Sequence, residues 1–106
     1  MIFRNDDSRP IEMMPGLFRR TLACSNSMMI CQFNLDSGVE IPEHAHPHEQ
    51  VGYVVLGKIR ITICGQSFEL GPGDCYRALS EERHSAIALE PSVVVDTFSP
   101  LREDYR

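Results

Sequence analysis

What this sequence lacks excludes several classes of function. No run of basic residues occurs in its 106 positions, and 15 acidic against 10 basic side chains give a formal charge of −5. A surface that binds nucleic acid is therefore not expected, and an anionic ligand needs a specific arginine instead of a general positive field. No apolar stretch resembles a signal peptide or a transmembrane helix, so we expect a cytoplasmic protein without a membrane partner.

Paired cysteines are also missing. The four cysteines are scattered along the chain, and no two of them form a Cys-x-x-Cys pair. In a chain without a secretion signal, such residues are expected to be reduced, small and mostly buried. Their spacing does not indicate a redox thiol.

No stretch has the periodicity of an amphipathic helix, and the chain is divided instead into short strands by turns. Ile59, Ile61 and Ile63 alternate with other residues at a period of two, whereas Val51–Leu56 is nearly all apolar and predicts a strand buried on both faces. The strongest turn is Gly71–Asp74, with one proline and two glycines. Many short strands with such turns predict an all-β domain, either an antiparallel barrel or a sandwich.

The domain is expected to span residues 16–106. Residues 1–15 contain Pro10 and Pro15 and predict an N-terminal arm, of the kind that often pairs with another subunit. On this basis we expect a homodimer.

Three of the four histidines lie within five residues. His44, His46, His48 and Gln50 alternate, so in one extended strand they would share a face. Imidazoles bind divalent transition metals well, and His44 with His46 forms a ready pair of ligands. Gln50 and the distant His84 are the candidates for the remaining ligands. His48 is expected at the rim of the site, because Pro47 bends the strand; the alternative for all three histidines is a solvated loop.

Two later strands carry further candidates. His84, Ala86 and Ala88 share one face, and the small alanines leave room for a pocket beside the histidine. Asp96 and Phe98 share a face of the last strand. A carboxylate at position 96 is a candidate general acid and base, with a turn cap or an ion pair as the alternative, while a phenylalanine is more often a core residue.

Arg102 follows the last strand. Its rigid guanidinium suits bidentate binding of a carboxylate. The alternative is a surface arginine beside Glu103 and Asp104.

Two spacings resemble the motifs of the cupin family. The first is Gly38-x5-His44-x-His46-x3-Gln50-x6-Gly57, with Gln50 where many members have Glu. The second is Gly65-x6-Pro72-Gly73-x10-His84, in which the gap before the histidine is longer than usual and the customary Asn after it is absent. The resemblance implies an all-β cupin barrel, a jelly roll that brings His84 across to His44 and His46.

The segment 96–105 is similar to the C-terminus of a narrower group, the pectin-degradation cupins, which linearise unsaturated uronates released by pectate and alginate lyases. His46–Val55 and Ala86–Glu90 also resemble that group, and the similarity spans residues 16–105. It implies an enzyme whose metal ligands are His44, His46, Gln50 and His84. It further implies that Asp96, Phe98 and Arg102 act in turnover, and we place His48 with Phe98 and Arg102 as substrate contacts.

The expected function is therefore metal-dependent ring opening of a 4,5-unsaturated uronate, a small sugar acid. Three imidazoles and an amide oxygen are neutral, so a divalent ion keeps its full +2 charge, whereas a Glu would reduce it to +1. Zinc, nickel, manganese and iron all accept this set of ligands. Two alternatives stay open: a metal-dependent cupin oxygenase or oxidase that uses dioxygen, and a non-catalytic sugar-sensing cupin.

Overall fold

The computed structural model describes all residues, 1–106, as ten β-strands and two short 3-10 helices. The strands are β1 (Ile11–Met14), β2 (Leu17–Cys24), β3 (Met29–Leu35), β4 (Glu40–His44), β5 (Glu49–Leu56), β6 (Ile59–Ile63), β7 (Gln66–Leu70), β8 (Cys75–Ala78), β9 (His84–Ala88) and β10 (Ser92–Ser99). The helices are η1 (Asn5–Asp7) and η2 (Glu103–Tyr105). Each helix has only three residues, so neither of them could span a membrane.

The strands form two antiparallel sheets. One has six strands in the order β1-β2-β3-β10-β5-β8, and the other has four in the order β4-β9-β6-β7. Buried apolar side chains from both sheets make one cluster, whose members are Leu17, Met29, Cys31, Phe33, Leu35, Val54, Ile59, Ile61, Ala88, Val94, Phe98 and Leu101. The prediction of an all-β domain of antiparallel strands is confirmed.

Strand β5 differs from its prediction. Its inward side chains, such as Val54, are buried, but Val51 is 51% exposed, Tyr53 48% and Val55 41%. The prediction that this stretch is buried on both faces is wrong, because the sheet is covered by the core on one face only. An apolar run therefore did not indicate a strand buried on both faces here, although β5 has a neighbouring strand on each edge.

The histidine segment is not one continuous strand. Strand β4 ends at His44 in the four-stranded sheet, and β5 begins at Glu49 in the six-stranded sheet. The segment between them crosses from one sheet to the other, with Pro47 in the crossing. The prediction that His44, His46, His48 and Gln50 share one strand face is wrong, yet the crossing still brings three of these residues to one place.

The N-terminal arm packs against its own sheet. Residues 11–14, which the sequence assigned to the arm, form edge strand β1 and pair with β2. Two residues of the preceding segment are also bound to the sheet, because the Asn5 amide donates to Gln32 Oε1 at 3.0 Å and Arg20 Nη1 donates to the Ser8 carbonyl at 2.6 Å. The missed strand had a signal in Pro15 and Gly16, a turn pair between two strands, where Gly16 has a φ of 84°.

Only one cysteine belongs to the core. Cys31 is buried, whereas Cys24, Cys64 and Cys75 are exposed, and all four are free thiols. The expectation that the cysteines are mostly buried is therefore wrong.

Two neighbouring valines test the two faces of β5. Val54 is fully buried, so Val54→Ala is expected to lower the free energy of unfolding by about 2 kcal/mol through lost contacts and a small cavity. Val55→Ala removes the same atoms from the exposed face and is expected to change it by less than about 0.5 kcal/mol. Urea denaturation of both variants measures the difference, and equal destabilisation would contradict this assignment of faces.

Candidate functional site

Three histidines meet between the two sheets. His44, at the end of β4, pairs directly with His84, at the start of β9, and His46 lies in the crossing that follows β4. The ring centroids of His44 and His84 are 4.2 Å apart, and those of His46 and His84 are 4.9 Å apart. One ring nitrogen of each histidine lies within 4.8 Å of the others, so the three could hold one metal ion.

Backbone carbonyls fix the proton on each of these rings. The Nδ1 atoms of His44, His46 and His84 lie 2.9, 3.0 and 2.8 Å from the carbonyl oxygens of Pro42, His48 and Glu82 respectively. A carbonyl oxygen only accepts, so each Nδ1 carries the proton and the neutral ring keeps its lone pair on Nε2. The Nε2 atom of His84 is buried and has no hydrogen-bond partner.

Two of the rings are held neutral by their surroundings. Burial lowers the pKa of His46, and the positive charge of Arg102 lowers it further. Burial also lowers the pKa of His84, and the neighbouring His44 and His46 add to that effect. Neutral imidazole is the form that binds a metal, so these shifts favour a ligand role.

The side chain of Gln50 is oriented by its hydrogen bonds. Its Nε2 donates to Tyr76 Oη at 2.9 Å and to Asp96 Oδ2 at 3.1 Å, which turns Oε1 toward the histidines. There Oε1 lies 3.0 Å from His46 Nε2. Both atoms are acceptors when His46 is neutral, and a cation beside them satisfies both. Three imidazole nitrogens and this oxygen therefore fit a divalent transition metal ion.

Asp96 is the buried acid of this network. It is 5% exposed, accepts from Gln50, and also accepts from Tyr76 Oη through Oδ1 at 2.5 Å. Burial raises the pKa of Asp96 from 3.8 to about 7, although both hydrogen bonds and the charge of Arg102 act in the opposite direction. Burial and the adjacent carboxylate raise the pKa of Tyr76, so the phenol keeps its proton and donates it.

Arg102 is enclosed by aromatic rings. Its guanidinium carbon lies 5.3 Å from the ring centre of Phe98 and 3.9 Å from that of Tyr105. The side chain is only 13% exposed, and its Nε and Nη2 atoms bind Asp104 at 3.3 and 3.0 Å. Arg102 is thus mostly buried, and it pairs with Asp104, one of the two acids that the alternative placed beside it.

One cavity joins most of the residues singled out in the sequence. Its wall includes His44, Gln50, His84, Asp96, Phe98 and Arg102, together with Tyr76 and Tyr105. Phe98 is also a core residue, 1% exposed, and packs against the ring of His46 at 6.0 Å. His48 is half-buried outside this wall, with its ring 5.5 Å from that of His46. The predicted residues thus converge except for His48, which lies beyond His46.

Tyr76 was missed by sequence reasoning, although a signal for it exists. Gly52 on β5 pairs with Tyr76 on β8 and with Asp96 on β10. A Cβ atom at position 52 would collide with the Tyr76 ring and with Asp96 Oδ1, so only glycine leaves room for that hydrogen bond. An isolated glycine inside a strand often marks such a close approach.

Asp96 is expected to make the metal-free protein less stable as the pH rises. The unfolded carboxyl loses its proton near pH 3.8 and the folded one near pH 7, so the folded state binds more protons between these values. The free energy of unfolding therefore falls as the pH rises through this window, by on the order of 3 kcal/mol between about pH 5 and pH 8. Asp96→Asn removes this contribution.

Urea denaturation in the presence of a chelator, at about pH 5 and about pH 8, measures this change in the free energy of unfolding. Lowered histidine pKa values act in the opposite direction in every variant, so the difference between wild type and Asp96→Asn isolates Asp96. Asp74→Asn, on the exposed turn before β8, is the matched control and should follow the wild type. The same pH dependence in wild type and Asp96→Asn would contradict the account of this carboxyl.

Comparison with known proteins agrees with this geometry. The cupin domain family matches residues 32–98, which include every proposed metal ligand and Asp96. The pectin degradation protein KdgF of Dickeya dadantii (strain 3937) is 35% identical over 103 residues, which are 94% of this chain and 94% of that protein.

Solved structures of cupins also resemble this chain. KdgF from Halomonas sp. superposes with a TM-score of 0.95 at 35% identity, over 100% of this chain and 98% of that chain. An RmlC-like cupin from Shewanella frigidimarina NCIMB 400 has a TM-score of 0.93 at 31% identity, over 97% and 93% of the two chains. Bacillus subtilis oxalate decarboxylase shares the fold alone, with a TM-score of 0.84 at 24% identity, over 96% of this chain and 30% of that one. The chain belongs to the cupin family.

Proposed function

We propose that this protein is an enzyme that opens the ring of a 4,5-unsaturated uronate monomer and yields 5-keto-4-deoxyuronate. The observation that carries the proposal is a buried carboxyl, Asp96, on the wall of the same cavity as His44 and His84, two members of the histidine cluster. Burial raises the pKa of this carboxyl to about 7. Arg102 on the same cavity supplies a site for the carboxylate of a sugar acid. Similarity to a pectin degradation protein over 94% of the chain supports this class of substrate.

In this proposal His44, His46 and His84 hold a divalent transition metal through Nε2, and Gln50 holds it through Oε1. Zinc, nickel, manganese and iron are all compatible with this donor set. When bound, the ion supplies a full +2 charge that polarises ligand oxygens, since none of the four donors is charged. The side chains of Asp96 and Tyr76 keep the Gln50 oxygen turned toward that position.

Arg102 orients the substrate in this proposal. Its guanidinium binds the uronate carboxylate, and the rings of Phe98 and Tyr105 enclose that guanidinium and limit its movement. His48 is proposed as a contact at the rim. Arg102 and Asp96 line the same cavity, so a sugar whose carboxylate is bound by the arginine has its ring within reach of the acid.

Asp96 moves the proton in the proposed reaction. As a carboxylate it takes the proton of the anomeric hydroxyl, and the bond between C1 and the ring oxygen breaks. An aldehyde forms at C1 and an enolate at C5. The protonated Asp96 then donates to C4, which gives the 5-keto product and restores the carboxylate. A pKa near 7 suits both steps, because neither form of the carboxyl is strongly favoured at neutral pH.

The absorbance of the C4=C5 double bond tests this function. The metal-loaded protein is expected to make this ultraviolet band of an unsaturated uronate decay faster than it does spontaneously. Asp96→Asn removes the proton carrier and is expected to lower kcat by at least about 100-fold. Both the substitution His84→Ala and treatment of the wild type with a chelator are expected to abolish the acceleration. Added metal is expected to restore the activity of the chelator-treated wild type but not that of His84→Ala.

Asp74→Asn, outside the cavity, is the matched control and should keep wild-type activity. No acceleration by metal-loaded wild type would contradict the proposal. Consumption of dioxygen with a candidate substrate would favour the oxygenase alternative, because ring opening consumes none. A uronate that binds and returns unchanged would favour a sensing role.

We also propose that the protein is a homodimer that associates through its N-terminal arm. Ile2 and Phe3 lie in the arm at 77% and 56% exposure, so their apolar surfaces are available to a second copy. Sedimentation velocity is expected to show a species of twice the 12.0 kDa chain. Phe3→Asp is expected to dissociate it, whereas Phe68→Asp, at a site 51% exposed on β7, should not. A wild-type chain that sediments only as a monomer would contradict the proposal.

A further inference from the structure

The guanidinium of Arg102 is already bound by a carboxylate of its own chain. Asp104 accepts from Nε through one oxygen at 3.3 Å and from Nη2 through the other at 3.0 Å. Two parallel hydrogen bonds to two oxygens are the arrangement in which an arginine binds the carboxylate of a ligand. Only Nη1 is left without a hydrogen-bond partner.

Asp104 can leave this position at little cost. Its side chain is 60% exposed, whereas that of Arg102 is 13% exposed, so the carboxylate lies on the solvent side of the pair. Arg102 is its only side-chain partner. Helix η2 is held instead by its backbone, because the Tyr105 amide donates to the Arg102 carbonyl and Thr21 Oγ1 donates to the Tyr105 carbonyl. Rotation of Asp104 toward solvent therefore leaves the helix in place.

We infer that Asp104 competes with the carboxylate of the substrate for the guanidinium of Arg102, and so sets the affinity of the cavity for sugar acids. An incoming carboxylate must displace Asp104 to gain both parallel hydrogen bonds with Nε and Nη2. Asp104 is ionised throughout the neutral range, since its pKa is lowered by its bonds to Arg102 and by the charge of that residue, against an opposing effect of partial burial. The competitor is therefore always charged. This inference rests on the proposed role of Arg102 as the carboxylate site.

The neighbouring residue offers a matched control. Glu103 lies in the same helix and carries the same charge, but it pairs with Arg106, and both of these side chains are more than half exposed. Glu103→Gln and Asp104→Asn therefore change the net charge equally, and only the second removes the carboxylate that binds Arg102 through both oxygens. A partly exposed pair of this kind stabilises by about 0.4–1 kcal/mol, which corresponds to an affinity change of about two- to fivefold.

Calorimetric titration of the zinc-loaded protein with D-galacturonate tests the inference. This sugar has the carboxylate but lacks the C4=C5 double bond, so it binds without being linearised. Asp104→Asn is expected to lower its Kd about two- to fivefold, while Glu103→Gln leaves it within the error of the wild type. D-galactose, the neutral counterpart, should show no gain. In an Arg102→Gln background, Asp104→Asn should no longer have an effect.

An unchanged or higher Kd for galacturonate in Asp104→Asn would overturn the inference, because Asp104 would then be neutral or would position Arg102 instead of competing for it. Failure of the wild type to bind galacturonate would also overturn it. The titration measures the Kd for galacturonate, whereas the linearisation assay measures consumption of the unsaturated substrate, so each can fail without the other. A protein without catalytic activity would still show the expected decrease in Kd in Asp104→Asn.

Discussion

The arrangement of the site depends on the hydrogen bond between the Gln50 amide and the Asp96 carboxylate. An amide side chain presents a donor at one end and an acceptor at the other, and its two orientations differ little in shape. Because the carboxylate only accepts, it fixes Nε2 on its own side and leaves Oε1 facing the histidines. Tyr76 strengthens this choice, since its hydroxyl accepts from the same amide and donates to the same acid. The proposed base of the reaction is thus also the residue that orients a proposed metal ligand.

The sheets make that bond possible by placing neighbouring strands in register. Strand β10 lies between β3 and β5, so Asp96 faces the cavity beside β5, the strand that carries Gln50. Gly52 removes the one side chain that would separate Tyr76 from Asp96. In the other sheet, His44 on β4 and His84 on β9 are direct partners on adjacent strands. The site lies between the two sheets, and paired strands position Gln50, His84 and Asp96. His46 lies in the crossing between β4 and β5, and Arg102 follows β10.

Much of the fold was predictable from the sequence because turn residues and alternation are local properties. Strand β6, for example, coincides with the alternation of Ile59, Ile61 and Ile63, and glycines at positions 57 and 65 lie in the turns on either side of it. The full burial of Val51–Leu56 was predicted wrongly, because hydrophobicity alone does not show whether a second layer covers a strand. The crossing of the histidine segment was also missed, since Pro47 indicated a bend but not the sheet on which the chain continues.

The candidate residues were found because histidines are rare in this chain and their spacing resembles a known motif. Tyr76 was not found, because a tyrosine in a strand is ordinary and only its pairing with Gly52 makes it distinctive. Asp104 was considered only as a neighbour of Arg102, since sequence spacing does not show which of two adjacent acids, Glu103 or Asp104, turns toward the guanidinium. Both omissions concern contacts between side chains, which depend on packing.

Anomalous diffraction from crystals grown with zinc would show whether the four proposed ligands bind one ion, because it locates the ion without relying on activity. We expect one strong peak at about 2.0–2.2 Å from Nε2 of His44, His46 and His84 and from Oε1 of Gln50. We also expect that Gln50 Nε2 still donates to Asp96 in that structure. An ion bound elsewhere, or one that leaves Gln50 uncoordinated with its amide reversed, would contradict the account.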